Sequence, residues 1–236
     1  MNDSIAALGV AWDNLFDFAR PRFLNVQSDG ENLVPASFPV LGLMTGALAA
    51  VLWIFFSWIS VGYAAGFIYT LAAWAVLSFK DSGTGDRRMA EALSGSWFAG
   101  NGRGVSVNII YGIILALRFV ILLLGALHGD QVILAVVLCG GFAMQGALAV
   151  SEASDQELFR YTPEATRNFY ISCVICAVCC MLAALLTTLA AVLATVLLYC
   201  LFVRPKPDND TELDADRISF CGTLTENILL LVTLVF

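Results

Sequence analysis

Uncharged apolar runs alternate with short polar segments along this chain. The first run extends from Phe38 to about Ser60, and after a break at Ser60, Val61 and Gly62 a second ends near Phe79. A third spans roughly Val105 to Leu127 and a fourth Val132 to Val150. From Phe169 to Val203 comes an uncharged stretch of 35 residues. A single crossing of the hydrocarbon core takes about 20 residues, so this stretch predicts two helices joined by a tight turn near Thr187 and Thr188. The last run is Ile218 to Phe236 and contains Glu226 and Asn227. The pattern predicts an all-α, polytopic membrane helical bundle of about seven transmembrane helices. Residues 1–34 form a mixed N-terminal segment, in which an amphipathic surface helix over 4–19, ending before Pro21, competes with a partly ordered tail.

Composition supports the membrane class. Of 236 residues, 59% are hydrophobic and 13% charged, whereas soluble domains sit nearer 45–50% and about 25%. No segment has ordinary soluble composition, so a single membrane domain is expected. The first thirty residues carry Asp3, Asp13, Asp17 and Asp29 and lack a basic start before a short apolar core, so no cleavable signal peptide is expected.

Charge then fixes an orientation. Apart from Arg118, the cations are Arg20 and Arg22 before the first run, Lys80, Arg87, Arg88 and Arg103 between the second and third, Arg160 and Arg167 between the fourth and fifth, and Arg204, Lys206 and Arg217 before the last. The alternate connections, around Ser60, Gly129 and Thr187, carry none. Cationic loops stay cytoplasmic. Loops 80–104, 151–168 and 204–217 and the N-terminus are therefore expected inside, the C-terminus outside, and the chain in a cell (inner) membrane. The net charge is −7, and no nucleic-acid partner is expected. Asp208, Asp210, Glu212, Asp214 and Asp216 share a loop with cations, a mixture that suits either a solvated loop or an anionic ligand held through a divalent ion.

Candidate chemistry is sparse. Arg118 and Glu226 lie inside apolar runs, where an ionisable group faces the bundle interior or a wet cavity. They are natural partners if their helices touch, either as a ligand-facing or gating pair or as an ion pair that fixes packing. Loop 80–104 combines Asp81 and Asp86 with several glycines and four cations, among them Arg87, Arg88 and Arg103, and could hold a magnesium–phosphate unit. Flexible polar loops between spans have the same look. Cys173, Cys176, Cys179 and Cys180 fall at helical spacing, read as small apolar packing residues rather than a metal or redox site. Gly42 and Gly46 form a small-xxx-small pair that permits close helix contact, within the chain or in a homo- or hetero-oligomer. His128 belongs to an external turn.

In order along the chain, several segments resemble the cobalamin (5′-phosphate) synthases, or adenosylcobinamide-GDP ribazoletransferases. Arg20-Pro21 stands where that family has a T-R-x-P-like stretch. Phe38-Pro39-Val40-Leu41-Gly42-Leu43 with Gly46-Ala47 is similar to F-P-L-I-G-x-x-x-G-A. Arg88-Met89-Ala90-Glu91 is similar to R-M/L-x-E, and Arg118 falls at a family lysine. Asp216-Arg217-Ile218-Ser219 and Leu224-Thr225-Glu226 resemble the acidic C-terminal block. Departures are equally specific: the D-G-L-A-D-T-A-D-G signature is reduced to Asp81-Ser82-Gly83-Thr84-Gly85-Asp86, K-D-S appears as Ser94-Gly95-Ser96, and an inner glutamate is Thr223.

The resemblance implies phosphoryl transfer in which α-ribazole or its 5′-phosphate attacks the cobinamide pyrophosphate and GMP leaves. It implies Mg²⁺ held by Asp81, Asp86 and Asp216, with Asp81 and Asp86 catalytic, and substrate binding by Arg87, Arg88, Arg103, Arg118 and Glu226. The implied partners are an amphipathic corrinoid, a nucleotide and the lipid bilayer. The lost acids leave as an alternative a non-catalytic membrane scaffold or partner subunit, and Arg118 and Glu226 inside the bilayer leave another, a small transporter.

Overall fold

The computed structural model describes residues 2–16, 19–26, 31–59, 63–97, 103–128, 132–151, 162–202 and 215–235. Among them the chain is helical and without strands. The α-helices are α1 (Asn2–Leu15), α2 (Val34–Ile59), α3 (Tyr63–Phe79), α4 (Thr84–Trp97), α5 (Arg103–His128), α6 (Ile133–Ser151), α7 (Pro163–Ala183), α8 (Leu185–Phe202) and α9 (Ala215–Val235). Four contain stretches long and apolar enough to cross a membrane: Val34–Phe55, Val107–Leu127, Pro163–Ala183 and Ile218–Val235. Three more apolar stretches are shorter: Gly66–Ser78, Ile133–Leu148 and Leu185–Leu201. Leucine, valine and phenylalanine side chains cover much of the outer surface; Leu182, Leu193 and Leu186 are 85%, 71% and 68% exposed. Apolar surface on that scale suits a lipid environment, where helices satisfy their own backbone groups.

The most extensive helix pair is α2 with α6. Gly42 faces Leu138 and Gly46 faces Ala135, so numbering runs in opposite directions and the pair is antiparallel. A Cβ on Gly46 would lie 2.1 Å from the Ala135 Cα, and one on Gly42 2.4 Å from the Leu138 carbonyl oxygen. Only glycine lets the two backbones come this close. The small-residue pair thus serves the close helix contact expected of it, here between α2 and α6 of the same chain.

Three expectations are corrected. First, the chain between the second and third runs is not an open loop over 80–104. It is a 3-10 turn, Lys80–Gly83, followed by α4. Asp86, Ala90 and Ser94 are all buried and fall on one helical face, and that face packs against α5 and α9. Second, the break between the last paired helices is at Ala184 rather than at Thr187 and Thr188. Ala184 is extended (φ −150°, ψ 88°); its N–H closes α7 on the Cys180 carbonyl and its carbonyl opens α8 by accepting from Thr188. No glycine or proline marks that position. The arms still run antiparallel, since Tyr170 and Tyr199 are hydrogen-bonded near one end and Cys180 and Thr188 line the same cavity near the other. Third, the N-terminal helix stops at Leu15, and Phe16 is a core residue whose ring meets Phe142 edge-on at 5.8 Å between centroids.

Local chemistry explains other helix ends. The Thr162 hydroxyl accepts from the Ala165 N–H at 3.0 Å, and Pro163 follows where its missing N–H costs nothing, so α7 starts there. Ser82 (φ 57°) and Gly83 (φ 70°) are both left-handed and reverse the chain between α3 and α4. The expected turns at 60–62 and Gly129, most of loops 151–168 and 204–217 with Arg160, Arg204, Lys206, Asp208, Asp210, Glu212 and Asp214, and Phe236 lie outside the described residues.

Candidate functional site

The turn after α3 and the first turn of α4 place charged side chains against α5 and α9. Lys80, Asp86, Arg118 and Glu226 are each no more than 2% exposed. Burying four charges is tolerable only if they are paired, and here they form two ion pairs.

Arg118, on α5, extends toward the start of its helix. Its Nη1 donates to the Leu77 carbonyl at 2.6 Å and to Asp86 Oδ2 at 3.1 Å, while Nη2 makes an ion-pair contact with Asp86 Oδ1 at 2.9 Å. Its Nε donates to Asn227 Oδ1 at 3.2 Å. Asn227 in turn donates to the Thr223 carbonyl at 3.0 Å and hydrogen-bonds Asp86. Burial pushes the Asp86 carboxyl above its ordinary value, and the Arg118 guanidinium draws it partly back.

Lys80 donates to Glu226 Oε1 in a second buried ion pair. Its ammonium also sits over the Phe142 ring, 4.9 Å from the centroid, a cation–π contact. Glu226 lies against Gly141, where any Cβ would come within 2.4 Å of its Cγ. Glu226 Oε2 has no hydrogen-bond partner among the described residues.

The sequence led to Arg118 and Glu226 as mutual partners. The structure brings both into one cluster and pairs them differently, Arg118 with Asp86 and Glu226 with Lys80. Lys80 and Asn227 are the residues whose roles were missed. The available signal was that Lys80 follows an apolar run directly and Asn227 follows Glu226 inside another. Arg87 and Arg88 point away from the cluster: both are exposed and pair with Glu91 on their own helix. Asp81 belongs to the 3-10 turn, Arg103 to the first turn of α5 and Asp216 to that of α9; their side chains lie outside the described residues. No group of three His, Cys, Asp or Glu side chains able to hold a metal ion occurs among the described residues. The free cysteines pack inside and along the helices, with Cys139 hydrogen-bonded to Cys176 and Cys180.

Among the described residues the cluster is a buried charge network in which each charge has an ion-pair partner and one oxygen, Glu226 Oε2, has no hydrogen bond. It joins the α3–α4 turn, α4, α5 and α9 and turns no free carboxylate toward an exposed surface. No family model, curated protein or solved structure matches the chain.

Proposed function

We propose that this chain is a non-catalytic multi-pass membrane protein, a scaffold or partner subunit built on a framework resembling the cobalamin synthases. The supporting observation is that Asp86 and Glu226 are buried and each is already engaged by a cation of the same chain. A carboxylate that binds magnesium must turn free oxygen lone pairs to the ion. Here Arg118 and Lys80 supply the compensating charge internally. Among the described residues no three carboxylate, histidine or cysteine side chains group together around an ion. The same closed pairing speaks against a transport role for Arg118 and Glu226.

In this reading α2, α3, α5, α6, α7, α8 and α9 are the seven crossings. The segregation of cations puts the N-terminus and the basic segments in the cytoplasm and the C-terminus outside, in a cell (inner) membrane.

One observation favours a second reading, the diverged transferase that joins adenosylcobinamide-GDP to α-ribazole or its 5′-phosphate. Arg87 and Arg88 are exposed on α4 just after the left-handed Ser82–Gly83 turn that also carries Asp81, and arginine forks suit phosphate groups. Substrate binding by Arg103, and magnesium binding by Asp81 and Asp216, belong to this reading.

Complementation separates the two. A cobalamin synthase deletion strain making well-inserted protein should fail to grow without added cobalamin, and the melting temperature of the purified protein should not move with Mg²⁺ or a chelator. Growth rescue that is lost in Asp81→Ala would overturn the scaffold reading in favour of the transferase.

A further inference from the structure

Between α6 and the two arms α7 and α8 lies a cavity of about 300 Å³. It is separate from the charge network and the proposed function does not use it. Its floor is made of buried α6 residues, among them Val136, Cys139 and Met144. Its mouth is lined by Tyr170, Val174 and Val196, which are 54%, 62% and 54% exposed. The cavity therefore opens sideways, onto the same apolar outer surface that carries Val178, Leu193 and Leu197.

The lining is polarised along its length. At one end the hydroxyls of Tyr170 and Tyr199 are hydrogen-bonded to each other, seven residues into α7 and three before the end of α8. At the other, Thr188 and Cys180 flank the Ala184 break. Tyr199 and Thr188 are eleven residues apart on α8, about 16 Å at the helical rise. Tyrosine hydroxyls near a helix end mark the level where lipid headgroups meet hydrocarbon, and the remaining wall is almost entirely apolar.

We propose that this cavity holds one acyl chain of a membrane lipid, with the ester linkage at the Tyr170–Tyr199 hydroxyls and the chain running along the α6 floor. The inference rests on the chain being membrane-embedded, but not on either reading of the charge network. A lipid is favoured over a partner helix because a cavity of about 300 Å³ is far smaller than even three turns of a helix about 10–12 Å across. An apolar chain adds contact along the whole wall, and the hydroxyl pair gives its polar end a hydrogen-bonding partner.

The test uses the full chain in nanodiscs containing a phosphatidylcholine with a diazirine midway along one acyl chain. After photolysis, peptide mass spectrometry should find lipid adducts at Ala143 or Met144 on α6, which annular lipid outside the arms does not reach. Ala177→Trp, which fills the cavity, should remove those adducts while leaving adducts on outward residues such as Leu193. Should that variant fail to fold, Tyr170→Phe with Tyr199→Phe keeps the volume and should lower floor labelling several-fold at limiting lipid. Adducts confined to outward residues in the unmodified protein would overturn the proposal, as would floor labelling that Ala177→Trp leaves unchanged. With Ala143 replaced by the photoreactive benzoylphenylalanine, cross-links to a second copy would overturn it in favour of a helix as occupant. Adducts on no residue, under conditions that label a control membrane protein in the same nanodiscs, would place the chain outside lipid and overturn the membrane reading as well.

Discussion

Arg118 on α5 and Asp86 on α4 form a buried ion pair, closed at 2.9 Å and completed by the Leu77 carbonyl and Asn227. It ties a helix that the polar sequence disguises as a loop to one that is apolar over most of its length.

Lys80 and Glu226 should be strongly coupled. Removing one partner of a buried pair leaves the other charge uncompensated, at a cost of about 3–5 kcal/mol. Lys80→Met and Glu226→Gln are each expected to lower the melting temperature in detergent substantially. The double variant should be less destabilised than the sum of the two. Additive losses in a double-mutant cycle would show that the pair is not coupled.

Glycine substitutions should divide by position. Gly46→Val places a Cβ against the Ala135 backbone and is expected to cost at least the roughly 1–3 kcal/mol of core overpacking. At Gly112 nothing lies within 4 Å of the added Cβ, and Gly112→Ala should be neutral or stabilising by up to about 1 kcal/mol. Thermal unfolding of both proteins by circular dichroism checks this. Equal effects at the two positions would refute the close α2–α6 approach.

Asp86 makes stability depend on pH in a defined direction. Burial raises its carboxyl above 3.8 more than Arg118 lowers it, so between that value and the raised one the native state binds more proton than the unfolded state. Its contribution to stability is therefore present at low pH, falls as pH rises through that window, and is level above it. The advantage of the unmodified protein over Asp86→Asn should shrink as pH increases from about 4. An advantage that grows across the window would mean that attraction to Arg118 outweighs burial.

Thr162→Ala removes the hydroxyl that caps α7 and should cost about 0.5–2 kcal/mol. Thr162→Asp should retain most of the stability, because a carboxylate accepts the same Ala165 N–H and favours the helix start. Loss of the same size in both variants would assign Thr162 some other role.

Topology is open to labelling. With native cysteines replaced, Glu164→Cys and Asp208→Cys are expected to react with an impermeant maleimide only after the cytoplasmic face is opened. Modification of both from the outside of intact cells would invert the orientation argued from the cations.

Helix positions were legible because hydrophobic run length is a direct constraint: the runs ending near Phe79, Leu127 and Val150 match the ends of α3, α5 and α6 within a few residues. α4 was hidden because its buried face is made of Asp86, Ala90 and Ser94, which no apolar period reveals. The Ala184 break carries no turn residue. In the site, Arg118 and Glu226 stood out as charges within apolar runs, but their partners depend on tertiary contacts among four segments. Lys80, at a helix end, looks like any cytoplasmic cation until Phe142 and Glu226 are seen around it.

The Lys80–Glu226 pair spans 146 positions of sequence, and that separation has a consequence for biogenesis. Ribosomes deliver α3 long before α9, and membrane helices assemble as they emerge. Throughout that interval the Lys80 ammonium has no Glu226 to meet it. A nascent or prematurely terminated chain therefore carries the Lys80 charge at the end of α3 without the carboxylate that meets it in the finished fold, and only the arrival of α9 closes the pair.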